Sequence, residues 1–216
     1  DPNFFFVPKD TTSAQEYEAF SSCSQVFHVF GNGIGTDRDA LFYEFDLDTL
    51  SKRMQFFFTP AALENPFAQQ YRIEDSSSYK MLSRRRAAKF LSSCLRQCIY
   101  RPFDFRWLYY DARLVSRAGF DVMQHMAASN IALLLTRQVT GREFHHVFVS
   151  RHLVDRDPLS LITRERTQAF PLYLYPAADE LDASAGRRPN INPEFLKALA
   201  VKLKLPQEEP HGLPQG

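Results

Sequence analysis

The chain has 216 residues, 44% hydrophobic and 24% charged, a balance that suits a globular fold and leaves room for one large domain or one domain plus appendages. A net charge of +1 excludes the overall basic character of a protein held to nucleic acid by bulk charge, and no run of 18 apolar residues offers a membrane-spanning helix. Cys23, Cys94 and Cys98 form no metal-ligand pattern and read as free thiols of a reducing compartment, so a cytoplasmic chain is expected.

In chain order, DPNFFFVPKD is acidic at its start and too short for a signal peptide; residues 1–25 read as a lead-in from something longer. SQVFHVF and DALFYEF then read as two strands joined by a glycine-rich turn, GNGIGTDRDALF. That turn is not a P-loop, because Gly35 is followed by Thr36 and Asp37 where a Lys and a hydroxyl are needed, and a carboxylate there repels phosphate. Nor is it a dinucleotide fingerprint, since Gly31, Gly33 and Gly35 are spaced G-x-G-x-G and no helix is expected after them. A hairpin whose glycines take positive φ is the expectation.

DLDTLSKRM reads as a short helix with an acidic first turn. SSYKMLSRRRAAKFLSSCLRQC gives the longest helical signal, with Met81, Leu82, Ala88, Leu91 and Leu95 on one face and Cys94 and Cys98 within it. Pro102 stops regular structure, DFRWLYY is strand-like, and FDVMQHMAA is a short helix. IALLLTRQ, HHVFVSRHLV and FPLYLYP have the length and residue types of buried strands. NPEFLKALAVKLK closes with a helix capped by Asn192, with Pro193 at its first position, and residues 206–216 form a Pro/Gly/Gln-rich linker. Strands and helices do not alternate, so the fold class is α+β: mixed, mainly antiparallel sheets with a few flanking helices, with one domain over residues 26–205.

Catalytic signatures are weak. His145 and His146 are adjacent on a strand, hence point to opposite faces and chelate no common ion. His125 and His152 lack a carboxylate at triad spacing, and no G-x-S-x-G precedes a helix. The informative region is residues 84–117, with nine basic side chains against Asp104 and Asp111. There IYRPFDFRWLYYDARLVSR interleaves arginines with aromatics. Two readings fit: guanidinium forks for phosphates and guanine edges, or Arg–Asp pairs that hold strand ends.

YRPFDFRWLYY, VMQHM followed by NIALLLTRQ, HVFVSRHLVD, FPLYLYP and RRPNIN resemble, in order, the C-terminal specificity region of type ISP (and type IIG-like) restriction-modification enzymes. GNGIGTDRDALF resembles the segment with which such target recognition domains begin, and NFFFVPKD the stretch leading into it. The chain departs from the pattern at Ala118–Gly119–Phe120, where the family often carries a second basic residue after Arg117.

The resemblance implies double-stranded DNA as partner, together with an upstream methyltransferase domain of the same polypeptide that uses S-adenosylmethionine on adenine N6. No Asn/Asp-Pro-Pro-Tyr motif occurs here, so this fragment is expected to need neither cofactor nor metal. The implied DNA contacts are Thr36 and Arg38 at the glycine turn, and Arg84, Arg85, Arg86 and Lys89 on phosphates. Arg101, Arg106, Arg113 and Arg117 are implied on bases or phosphates, with Arg101 and Arg106 also fitting structural roles, and Asn130, Arg137 and Gln138 flank a buried strand. The alternative is a coupling domain of the same enzyme class that reads no bases.

Overall fold

The structure, a computed structural model, describes residues 12–64, 66–140, 146–162, 165–176 and 186–204. Residues 1–11 of the expected lead-in, the C-terminal linker and His145 lie outside them. The described chain forms two compact units, one running Val29–Asn190 and the other built from the segments before and after it.

The flanking unit contains helices α1 (Ala14–Glu18), α2 (Cys23–Val26) and α8 (Pro193–Leu203), with Phe27 and Ile191 joined by an antiparallel bridge. Its closing helix is the expected one: Asn192 caps it by accepting from the Glu194 amide at 2.9 Å, and Pro193 opens it.

The larger unit holds two four-stranded sheets. The first has the order β1 (Gly31–Asn32), β8 (Thr167–Pro171), β5 (Ala132–Thr136), β6 (Val147–Ser150), antiparallel throughout. The second runs β2 (Tyr43–Glu44), β4 (Asp104–Tyr109), β3 (Leu95–Arg101), β7 (Leu153–Val154), antiparallel except for the parallel β3–β7 pair. A short ribbon pairs β9 (Tyr173–Leu174) with β10 (Arg188–Pro189). Helices α3 (Asp39–Phe42), α4 (Leu47–Phe57), α5 (Phe67–Gln70), α6 (Met81–Ala87) and α7 (Phe120–Met126) complete the α+β fold expected from the sequence.

Local chemistry accounts for these elements. Asp46 caps α4 by accepting from the Thr49 amide at 2.8 Å, and the helix then buries Leu50, Met54 and Phe57, spaced for one face. Each such side chain contributes roughly 2 kcal/mol on burial. In β5, Ala132, Leu134 and Thr136 are buried and Leu133 and Leu135 only partly so, the alternation of a sheet packed more heavily on one face. Among the described residues no helix is long and apolar enough to cross a membrane.

Two expectations are corrected. The helical stretch over residues 77–98 shrinks to α6; Ser92–Cys94 is a 3-10 turn, and Leu95–Arg101 leaves the helix pattern to become β3. Strands β4 and β7 on either side satisfy its backbone, and this tertiary pairing overrides local helix propensity. Cys94 and Cys98 are therefore not on one helix; both are free thiols, with Cys98 buried in the core.

The glycine segment is not a hairpin. The residues before it form α2, DALF is helix α3, and β1 and β2 belong to different sheets. None of Gly31, Gly33 and Gly35 has positive φ; the left-handed residue is Asp37, at φ 54°. The glycines instead let other backbone come close. A Cβ on Gly33 would sit 2.1 Å from the Asp155 carbonyl oxygen, so only glycine fits.

Candidate nucleic-acid interface

The glycine segment ties three parts of the larger unit together. Gly31 and Asn32 pair with β8, Ile34 donates to the Val154 carbonyl at 2.8 Å, and Gly35 and Arg117 exchange backbone hydrogen bonds of 2.9 and 2.8 Å. The backbone of Arg156 donates in turn to the Ile34 carbonyl at 2.9 Å, and Thr167 donates to the Arg156 carbonyl at 2.9 Å. Residues 117, 156 and 166, remote in sequence, thereby come to the rim of one cleft of about 540 Å³ floored by the backbone of Gly31–Gly33.

Their side chains form a linear ion chain. Arg117 donates to both oxygens of Asp37 at 2.9 and 3.0 Å, and Arg156 Nη1 reaches the same carboxylate at 3.2 Å. The Arg156 Nε–H reaches Asp157 at 3.2 Å, and Arg166 pairs with the other oxygen of Asp157. Ser116 fixes Asp37 from the side with a 2.6 Å hydroxyl bond. Burial alone would push the Asp37 carboxyl up, but the Ser116 hydroxyl and the Arg117 and Arg156 guanidinia outweigh it and hold it below its ordinary value. Within this chain three guanidinia face two carboxylates, a third carboxylate, Asp121, lines the cleft, and the Arg117 side chain remains 58% exposed.

Several sequence-predicted residues are occupied within the protein itself. Thr36 is buried and bonded to Asp39. Arg38 is buried, donating to the carbonyls of Arg72 at 2.7 Å, Asp37 at 2.8 Å and Glu74 at 3.3 Å. Arg84 bonds the carbonyls of Val115 and Ser116 and lies 5.3 Å from the Tyr79 ring centre; Arg85 bonds those of Phe57 and Thr59 at 2.8 and 2.6 Å. Arg101 pairs with Asp155 at 2.8 Å and Arg106 with Asp104 at 2.8 Å, both over the Tyr100 ring. Asn130 is buried, its amide donating to the His125 and Tyr173 carbonyls and its oxygen accepting from the Ile131 and Tyr173 amides.

Others face solvent. Arg113 pairs with Asp111 at 2.8 Å yet keeps 64% of its side chain exposed. Arg86, Lys89, Arg137 and Gln138 are exposed. Sequence reasoning found Arg117 but missed Arg156 and Arg166, which sit in D-R-D and R-E-R runs that read locally as self-neutralised. It also missed Arg151, which with Arg96, Gln97 and Trp107 lines a second groove of about 260 Å³. Among the described residues no carboxylate is paired with Arg86, Lys89, Arg96, Arg137 or Arg151.

A near-neutral α+β domain that gathers guanidinia from three separate loops onto one open cleft is of the kind that recognises anionic partners by arrangement more than by bulk charge. The chain belongs to the type ISP C-terminal specificity domain family, whose model matches residues 25–210, and the restriction-modification resemblance in the sequence is thereby borne out. Similar solved structures include the DrdV–DNA complex, with a TM-score of 0.61 and 20% identity over 87% of this chain. The ATP-dependent type ISP restriction-modification enzyme LlaBIII bound to DNA gives 0.59 and 18% over 83%, and a nuclease-deletion mutant of the type ISP enzyme LlaGI with a DNA substrate mimic gives 0.53 and 19% over 84%. This chain spans 19%, 12% and 15% of the length of those three. At such identities the likeness is one of fold. No curated sequence matches the chain at a significant level.

Proposed function

We propose that this domain reads a short duplex DNA sequence on behalf of a restriction-modification enzyme, with the Arg117–Asp37–Arg156–Asp157–Arg166 cleft as the centre of its DNA surface. The observation that carries the reading is the convergence of three arginines on one cleft in a chain of net charge +1. Guanidinium forks match phosphate oxygens and the O6/N7 edge of guanine, whereas a diffuse positive charge would give grip without selectivity. Arg86, Lys89, Arg96, Arg113, Arg137 and Arg151 supply phosphate contacts around it, and Gln97 and Gln138 are amides able to match adenine edges.

In this reading the duplex is held for a methyltransferase domain of the same polypeptide, which extrudes an adenine and methylates N6 from S-adenosylmethionine, in the cytoplasm. The domain's share of that work is register and specificity. The cofactor belongs to the neighbour.

A coupling role is favoured by a separate feature. The edge strand β6 exposes Val147 and Val149 to 50% and 58%, an apolar edge suited to contact with another domain. The two roles use different surfaces.

Fluorescence anisotropy of the chain with random duplex and single strand, at two salt concentrations, tests the reading. Duplex-preferring, salt-sensitive binding that Arg117→Ala and Arg156→Ala weaken is expected. Duplex binding untouched by both substitutions would remove the cleft from the DNA surface.

A further inference from the structure

We propose that Asp37 is a specificity-determining residue: it occupies Arg117 in the free domain as a phosphate would, so that DNA must displace a carboxylate to engage that arginine. The inference rests on the DNA-recognition reading above and goes beyond it, because it assigns the discrimination between sequences to an acidic side chain that repels DNA.

Three observations support it. Asp37 sits at φ 54°, a conformation unfavourable for a side-chain-bearing residue, held by the surrounding contacts. Its carboxylate takes two hydrogen bonds from Arg117, one from Ser116 and one from Arg156, a set of donors like that which surrounds a bound phosphate oxygen pair. The two guanidinia are not equivalent. Arg156 is also tied to Asp157 and lies 31% exposed, whereas among the described residues Arg117 pairs with Asp37 alone and its side chain is 58% exposed.

Exchange therefore falls on Arg117. An exposed ion pair is held weakly, so a phosphate delivered at the right place and angle replaces the carboxylate, while one arriving in poor register meets a neutralised arginine and the repulsion of Asp37. Arg156, held by Asp37 and Asp157 together, stays aimed at the cleft through the exchange. The consequence is weak non-specific binding from a surface that nonetheless carries three arginines.

The test is a salt titration of random-sequence duplex binding by the wild-type chain and by Asp37→Asn. Asparagine accepts the left-handed backbone and keeps the shape. Freeing one arginine adds about one phosphate contact, so non-specific affinity is expected to rise roughly five- to tenfold near 0.1 M salt, and the slope of log K against log salt to steepen by about 0.9. Arg117→Ala in the Asp37→Asn background should erase the gain. Asp37→Gly, which takes φ 54° freely, should reproduce it if the asparagine variant folds poorly. Asp121→Asn removes an equal charge from the same cleft without freeing an arginine and should leave the slope unchanged.

Wild-type binding with no gain in either Asp37 variant overturns the inference and leaves the recognition reading standing. An equal gain in Asp121→Asn overturns it as well, since bulk charge would then suffice. If neither wild type nor the Asp37 variants bind duplex, the recognition reading falls and takes the inference with it.

Discussion

Gly33 and Asp155 approach so closely that a Cβ on the glycine would stand 2.1 Å from the aspartate carbonyl oxygen. The neighbouring backbone bonds, Ile34 to Val154 and Arg156 to Ile34, depend on that approach. Gly33→Ala should therefore cost roughly 1–3 kcal/mol or more of stability, because backbone and not a flexible side chain has to give way. Gly35→Ala should cost much less. Its Cβ would crowd the Arg156 side chain at 3.2 Å and reach the Arg117 Cβ only at an ordinary 3.6 Å, so the expected effect is a displaced guanidinium and weaker duplex binding at near-normal stability. Urea unfolding of both variants beside anisotropy separates the two effects.

The Arg84–Arg85–Arg86 run, uniform in sequence, should split. Arg84 and Arg85 each donate to two backbone carbonyls elsewhere in the unit, and replacing either by Ala removes those donors and the guanidinium lying over the Tyr79 or Phe57 ring. A loss of about 1–3 kcal/mol is expected for each. Arg86→Ala should change stability by no more than about 0.5 kcal/mol while flattening the salt dependence of duplex binding. Equal stability losses across all three would contradict the assignment.

That split shows where sequence reading stops. Helices α4, α7 and α8 and strands β4 and β5 were legible because their signals are local: the acidic first turn of DLDTLSKRM, Asn192 as a cap followed by Pro193, and the apolar run in IALLLTRQ. The role of the glycine segment was not, since Gly33 answers to a carbonyl 122 positions away and nothing in GNGIG records it. The ion chain was hidden for the same reason. Arg117 was found within a basic stretch, but its partner Asp37 is 80 residues earlier, and the D-R-D run around Arg156 carries no local sign that this arginine links Asp37 to Asp157.

Asp155 gives the fold a pH dependence of unusual sign. Burial raises its carboxyl from 3.8 to about 6, against the opposing pull of the Asp157 amide, Arg101 and the Tyr43 hydroxyl. Between about pH 4 and 6 the folded state then keeps a proton that the unfolded chain has lost, so this residue's contribution to stability falls as pH rises through that window. The change is at most about 3 kcal/mol. Asp37 and Asp111, whose carboxyls lie below their ordinary value, act in the opposite sense and at lower pH, where stability is lost on acidification. The difference in urea midpoint between wild type and Asp155→Asn isolates the effect. Relative to the variant, wild type should lose stability from pH 4 to 6.5, and a flat difference profile would show that Arg101 keeps Asp155 ionised throughout.

Arg156→Lys distinguishes charge from geometry in the cleft. The guanidinium reaches Asp37 through Nη1 and Asp157 through Nε, both at 3.2 Å, so one planar fork spans two carboxylates. An ammonium is a compact point charge that cannot hold both at that spacing. The lysine variant should retain the wild-type salt slope, because the number of cations is unchanged. It should lose discrimination between the selected target and random duplex, by about 1–3 kcal/mol if the fork reads a base edge. Competition anisotropy with the selected duplex against random competitor measures that ratio, and a ratio equal to wild type would mean that Arg156 supplies charge alone.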